Sequence, residues 1–150
     1  MGVKMTAVKW EPGSSATVMT TELNSLADTG KAISSEIDNS SVLYLFEDVE
    51  WYNAALGYTP TAGAVVELYL IRIDLANSVY EDGDASIAPP STNLVGVFNI
   101  RASTSAQKHI IRQIPIPPSK YKYVVINLTG GALPSSGNTL KKQPYRYQTV

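Results

Sequence analysis

The sequence contains no cysteine and only one histidine among its 150 residues. The lack of cysteine excludes disulfide bonds, thiolate metal sites and a cysteine nucleophile. A single histidine also excludes a zinc site built from several imidazoles. No apolar run approaches the roughly 18 residues of a membrane-spanning helix, and the N-terminal residues lack the apolar core of a signal peptide. We therefore expect a fold that depends on packing alone, with no membrane association and no cofactor.

The sequence also lacks an excess of either charge, because 12 basic residues and 13 acidic residues leave a net charge of −1. Proteins dedicated to nucleic-acid binding usually carry a basic face or stripe. The lysines near the C-terminus are interleaved with tyrosines, but they are too few to form a phosphate-binding surface. We therefore expect no nucleic-acid partner. The length suits a single domain with a sizeable core.

The longest apolar stretch, AVVELYLIRIDL at residues 64–75, is rich in residues that favour a pleated, half-buried surface. Val66, Leu68 and Leu70 point to one side, and Tyr69 and Ile71 point to the other. A strand that is apolar on both faces is usually central in its sheet. A helix of this length is the alternative, but the β-branched residues and the flanking turns favour the strand.

The other segments with strand-like alternation are spread over the whole chain, at residues 6–10, 16–20, 31–37, 42–51, 94–102, 107–116, 120–128 and 139–150. The only helical signal is a short turn at 21–27. The long polar segment 76–93 predicts an excursion over the surface. Eight or nine strands without intervening helices predict an all-β fold, an antiparallel β-sandwich of the jelly-roll type, with another Greek-key sandwich as the second choice. We assign residues 1–15 to an N-terminal arm or edge strand and 16–150 to the sandwich domain.

Catalytic chemistry has little support in the sequence. His109 lies between Lys108 and Arg112, and no G-x-S-x-G nucleophile motif accompanies it. Glu47 and Asp48 are adjacent on a predicted strand and therefore point to opposite faces, so they cannot act together on one substrate. We predict no catalytic residue and a protein that is not an enzyme.

Metal binding has equally weak support. Glu81, Asp82 and Asp84 surround Gly83, but they lack the further oxygen ligands of a calcium-binding EF-hand loop. A solvated acidic loop explains them, and we assign no metal ligand.

Binding surfaces can be predicted from exposed aromatics and from chain ends. Trp51, Tyr52 and Tyr58 are expected in loops, where aromatic rings can stack on sugars, and they are the candidate glycan contacts. Edges and termini are the usual points of contact between subunits. On that basis the candidate interface residues are Val3, Lys4, Met5, Trp10, Pro117, Tyr145 and Tyr147.

The order of motifs resembles a group of small virion proteins of tailed bacteriophages, which carry segments similar to TELNSLA, V-LYL, LPPGKFKF and SGNTL. The matching segments here are TELNSL at 21–26, VVELYL at 65–70, LVGVF at 94–98, IPPSKYKY at 116–123 and SGNTL at 136–140. The resemblance covers residues 20–147. Ser119 stands where that group has glycine after the proline pair, which changes the expected turn.

The resemblance implies a structural role on a phage particle, made in the bacterial cytoplasm and located in the virion. It favours a capsid decoration or cement protein that binds the major capsid protein or another virion protein. It also implies a homo-oligomer, for which we favour a trimer. The alternative is a receptor- or carbohydrate-binding module of a phage fibre or tail.

Overall fold

The computed structural model describes residues 7–84 and 86–149, and these form two antiparallel five-stranded sheets. Val3, Lys4 and Met5 lie outside the described residues. The first sheet, sheet A, contains β1 (Val8–Pro12), β2 (Ala16–Met19), β5 (Phe46–Asn53), β8 (Gln107–Pro115) and β10 (Thr139–Thr149). The second sheet, sheet B, contains β3 (Lys31–Ile33), β4 (Ile37–Asp38), β6 (Val65–Arg72), β7 (Leu94–Asn99) and β9 (Lys120–Leu128).

The strands pair in a nested order: β2 with β10, β3 with β9, β5 with β8, and β6 with β7. Such nesting is what results when a long antiparallel ribbon is folded over into two facing sheets, which is the jelly roll. Two short strands extend the edges, since β1 also pairs with β10 and β4 also pairs with β9. The predicted all-β, jelly-roll-like sandwich is confirmed.

Strand β6 has the central position that its sequence predicts, because it pairs with β9 on one side and with β7 on the other. Val66, Leu68 and Leu70 enter the main core between the sheets. Tyr69 and Ile71 point away from it and form a second, smaller cluster with residues of β9. Both faces of the strand are thus apolar because both are covered.

The outer face of sheet B is covered by the segment between β6 and β7. Tyr80 packs on the smaller cluster, and Lys122 Nζ lies 4.3 Å from the centre of its ring. A side chain at Gly83 would collide with Pro89 and Ile71, which shows how closely this segment approaches the sheet. The segment that was predicted to run over the surface therefore packs on the outer face of sheet B.

Within residues 7–84 and 86–149, helical structure is confined to two isolated 3₁₀ turns, Thr21–Leu23 and Ser91–Asn93. The first is shorter than the turn predicted at 21–27, because Asn24 is already extended and Ser25 adopts a left-handed φ of 55°. Leu23 is completely buried in the main core. Within the described chain no helix is long and apolar enough to cross a membrane.

A buried polar cluster ties the two sheets together. Glu47 of sheet A is fully buried and accepts hydrogen bonds from Tyr121 Oη (2.9 Å) and from Tyr123 Oη of sheet B. Lys142 of sheet A balances the charge, with Nζ at 3.3 Å from the carboxylate. Burial, and after it the charge of Glu47, raises the pKa of both phenols, so both hydroxyls stay protonated as donors. We call these four residues the cross-tie.

Candidate binding face

The outer face of sheet A has no covering segment among the described residues. Strand β5 alternates regularly, so that Glu47, Val49 and Trp51 are buried while Asp48 and Glu50 point outwards. The side chains opposite them across the neighbouring strands continue this outward face. This face of the sheet is therefore available to a ligand.

Four aromatic rings form a cluster at the β1 end of this face. Trp10 contacts Tyr147 at a ring-centroid distance of 4.4 Å and Tyr145 edge-on at 5.0 Å. Phe46 stacks on Tyr145 at 5.9 Å. Trp10 is 50% exposed and Tyr147 is 48% exposed, so the rings are packed against each other but remain open to solvent. Edge-to-face and offset pairs of this kind stabilise a cluster by about 0.5–1.5 kcal/mol per pair beyond simple burial.

A groove of about 510 Å³ runs from this cluster towards β8. Its walls are formed by Trp10, Pro12, Asp48, Arg112, Gln113 and Tyr145. A second hollow of about 300 Å³ shares Asp48 with the groove and continues along the same face past Glu50, Ile110 and Gln143. Volumes of this size are typical of sites for small molecules and short polymers.

A β-bulge shapes the centre of the groove. The register between β5 and β8 shifts between Glu47 and Val49, and Gln113 adopts a left-handed φ of 58° there. Asp48 holds the bulge, because its Oδ1 accepts the Gln113 backbone N–H (2.9 Å) and the Tyr145 hydroxyl (3.2 Å). Burial, followed by the charge of Asp48, raises the pKa of Tyr145 to about 12, so this phenol remains a donor at neutral pH.

Charged residues occupy the other end of the face. Glu50 pairs with Lys108 at 3.6 Å, and Lys108 also lies over the ring of Tyr52, 6.0 Å from its centre. Both partners of the ion pair are substantially exposed, so the pair contributes little to folding. Tyr52 is half-buried and remains a candidate glycan contact on this face.

Two of the three candidate glycan contacts have structural roles. Trp51 is completely buried, stacks on Phe98 at 5.8 Å and donates its indole N–H to Asn53 (3.1 Å). The prediction that Trp51 contacts a glycan is therefore wrong, since its ring faces the core. Tyr58 is half-buried and hydrogen-bonded to Thr129 and to the Gly131 carbonyl, so it anchors a loop.

The candidate interface residues separate into two groups. Trp10, Tyr145 and Tyr147 come together in the aromatic cluster, although Trp10 is more than 130 positions from the two tyrosines in sequence. Pro117 is buried, and its carbonyl accepts a hydrogen bond from Asn39. The prediction that Pro117 contacts another subunit is therefore wrong, because its ring has almost no exposed surface. The neighbouring Pro118 is exposed.

The geometry provides no catalytic set within residues 7–84 and 86–149. His109 is half-buried, and its nearest polar partner is Gln107 at 3.4 Å. Burial, and then the charge of Arg101, lowers its pKa. The acidic loop uses Asp84 to accept local backbone N–H groups, and no group of three His, Asp or Glu residues in the described chain could hold a metal ion.

Sequence reasoning missed the three polar residues Asp48, Arg112 and Gln113 of the groove. A signal for Asp48 was present, because the alternation of β5 places it on the face opposite Glu47, and the structure shows this arrangement. Arg112 and Gln113 gave no signal, because the bulge that displays them depends on pairing with a strand about 60 residues earlier.

Comparison with known proteins adds information about the fold only. No protein-family profile matches the chain, and no curated protein matches it. Among solved structures, the chain is similar to the CBM36-1 domain of a multidomain xylanase from the hindgut metagenome of Trinervitermes trinervoides (TM-score 0.49, 10% identity, 86% of this chain and 96% of that one). It is also similar to the C-terminal CBM6 of LamC from Zobellia galactanivorans (0.48, 9%, 92% and 99%) and to Desmodium yellow mottle tymovirus (0.37, 13%, 100% and 91%).

Proposed function

We propose that this chain is a non-enzymatic structural protein of a tailed-bacteriophage virion, and that it decorates the capsid by binding the major capsid protein. The sequence resemblance to phage virion proteins is the starting point. A jelly roll with no catalytic set among its described residues is compatible with a purely structural role.

One structural observation carries the proposal: two of the resembling segments, TELNSL and SGNTL, meet at a single corner of the fold. Asn138 of SGNTL donates to Asn24 of TELNSL (3.1 Å), although they are 114 positions apart. Asn127 of β9 holds the end of TELNSL, because it donates to the Leu26 and Ala27 carbonyls at 2.9 and 3.1 Å. The resemblance thus lies in residues that fix the architecture, as expected if the phage proteins share this fold.

For attachment we propose the edge formed by β1, extended by the preceding residues. Among the described strands β1 pairs only with β10, and an edge strand can accept a strand of a neighbouring subunit through its free backbone groups. Val8 is 61% exposed at this edge, and Tyr147 is exposed beside it. We propose that the same edge supports a homo-oligomer, with a trimer favoured.

The virion role is tested by mass spectrometry of purified particles of the phage that encodes the chain. We expect the protein in stoichiometric amounts, and we expect recombinant protein to co-sediment with particles from which it has been stripped. Its absence from purified virions would refute the proposal.

The edge is tested with Val8→Lys, because a charge on an exposed edge strand opposes further strand pairing. The matched control is Val79→Lys, which changes a valine of the same 61% exposure on the loop that covers sheet B. Light scattering should give three times the 16.2 kDa mass for the wild-type chain and the control, and a smaller mass for Val8→Lys. Deletion of residues 2–6 should likewise weaken assembly. Equal masses for all four proteins would exclude the β1 edge.

A further inference from the structure

We propose that the groove on the outer face of sheet A is a binding site for a neutral oligosaccharide. The site is built by Trp10 and Tyr145 as stacking surfaces and by Asp48, Arg112 and Gln113 as hydrogen-bonding groups. This inference does not depend on the virion role, because the groove lies on a sheet face and the proposed attachment uses a strand edge.

The chemistry of the walls selects the class of ligand. Aromatic rings offer flat apolar faces, whereas carboxylate, guanidinium and amide groups offer planar sets of acceptors and donors. A pyranose ring presents the complementary combination, with C–H groups on its faces and hydroxyls around its rim. A purely apolar ligand would cover the Asp48 carboxylate and the exposed Arg112 guanidinium without offering either group a hydrogen bond.

The charge of the groove argues for a neutral ligand. Asp48 contributes one negative charge and Arg112 one positive charge, and no other ionisable side chain except Tyr145 lines it. Nucleic acids and other polyanions require several cationic groups to replace their counterions. Sugar hydroxyls, in contrast, can donate to the carboxylate and accept from the guanidinium at the same time.

The dimensions favour an oligosaccharide over a single sugar. The lining residues come from four adjacent strands, β1, β10, β5 and β8. Three interstrand spacings of about 4.8 Å give a length of about 14 Å across the sheet. The second hollow extends this path beyond Asp48 along the same face, and its two carboxylates, Asp48 and Glu50, are matched in number by Lys141 and Lys142.

The backbone at the centre of the groove supports a role in binding. Gln113 is held in the left-handed region, which costs a residue with a side chain about 1 kcal/mol or more. Bulges that re-aim a side chain are frequent beside binding sites. Here the bulge projects the exposed Gln113 amide, and Asp48 keeps the bulge in place through Oδ1.

The experiment is affinity electrophoresis of the full chain through gels that contain soluble neutral polysaccharides (glucans, xylan and galactomannan), with alginate as an anionic comparator. An array of microbial glycans extends the range of sugars. The variants are Trp10→Ala, Trp10→Phe, Arg112→Ala and, as a matched control, Arg101→Ala, which removes an exposed arginine that does not line the groove. Circular dichroism verifies that each variant is folded.

We expect retardation by at least one neutral polysaccharide. Trp10→Ala and Arg112→Ala should each weaken the affinity about tenfold or more, as truncation of a central aromatic or arginine contact usually does. Trp10→Phe should retain part of the binding, and Arg101→Ala should retain all of it. Binding to no neutral glycan in gel or array, retardation by alginate alone, or equal loss in the Arg101→Ala control would each overturn the proposal.

Discussion

Glu47 is a carboxylic acid side chain that lies fully buried in the core, although charged groups normally stay in contact with water. A carboxylate without any solvent exposure is tolerated here because two phenol hydroxyls and one ammonium group satisfy it. Taking two charges out of water is costly, and good geometry with additional hydrogen bonds is what offsets the cost. Loss of any one partner therefore leaves an unsatisfied polar group in the core.

We predict that Glu47→Gln lowers the free energy of unfolding by about 3 kcal/mol or more, because it leaves the largely buried Lys142, whose side chain is 14% exposed, without a counter-charge. Urea denaturation followed by tryptophan fluorescence measures the change. The control is Glu50→Gln, which breaks an exposed ion pair two positions along the same strand and should cost less than about 1 kcal/mol. Similar losses for the two variants would contradict the proposed role of the cross-tie.

His109 provides a prediction about pH. Its folded-state pKa is lowered by burial and by Arg101, so the unfolded chain binds the proton more tightly than the folded chain does. Stability contributed by the neutral imidazole is therefore present above the unfolded pKa of about 6.5 and decreases as the pH falls below it. The thermal midpoint should drop between pH 7.5 and 5.5, and His109→Gln should flatten this drop. Parallel curves for the two proteins would count against it.

At the scale of elements, the two sheets approach most closely where β7 faces β8. A Cβ atom at Gly96 would lie 2.8 Å from Ile111 Cδ1, which is closer than side chains normally pack. The ladder between β6 and β7 also shifts register next to Gly96, between Leu68 and Tyr69. A glycine inside a strand thus marks both a bulge and a close approach, which are the usual reasons for glycine at such a position.

We predict that Gly96→Val destabilises the protein by about 1–3 kcal/mol, because overpacking forces the facing side chain out of its rotamer. Gly96→Ala should cost less, and the double variant Gly96→Ala/Ile111→Val should recover part of that loss, since it removes the atom in contact. A double-mutant cycle measures the coupling. Gly57→Ala serves as the control, because a Cβ atom there meets nothing within 4 Å. Additive effects of the two changes would refute the contact.

Elements that are determined by local pattern could be predicted from the sequence. Strand β9 has the bounds that its sequence predicted, and β6 differs only at its ends, because an apolar run on both faces identifies a covered strand. Strand β5 was predicted at 42–51 but extends over Phe46–Asn53. The predicted end at Trp51 placed this residue at the border of a loop, and this error led to the wrong glycan contact.

The binding face could not be predicted as a whole, for a different physical reason. Trp10 and Tyr145 were identified separately from edge and terminus arguments, but their contact requires the pairing of β1 with β10. Asp48 and Gln113 meet through a bulge that local sequence does not encode. Sites assembled from distant strands become visible only when the register is known.

At the scale of the whole molecule, the described ends of the chain lie side by side. Val8 pairs with Thr149 in the ladder between β1 and β10. Neighbouring strands are about 5 Å apart, so a few residues suffice to connect the two ends. The loop between β6 and β7 offers an exposed position for new termini, because Leu75 and Asn77 lie at the surface.

We predict that a circular permutant with Thr149 joined to Ala7 by a short glycine-serine linker, and opened between residues 76 and 77, folds to the same structure. Its thermal midpoint should fall by no more than about 5 °C, because exposed loop positions tolerate new termini and the nested strand pairs are retained. A permutant opened between Val124 and Val125, inside the buried strand β9, should fail to fold. Failure of the first permutant would show that the loop is required for folding.

The cross-tie has a consequence for the evolutionary history of this fold. Glu47 is bonded to the other three members, so a lineage that replaces Glu47, Lys142, Tyr121 and Tyr123 one at a time passes through a poorly stable intermediate. Replacement of the whole set by apolar residues of similar volume has no such barrier. We therefore expect descendants of a common ancestor to fall into two classes, one with all four polar residues and one with none, and mixed sets to be rare.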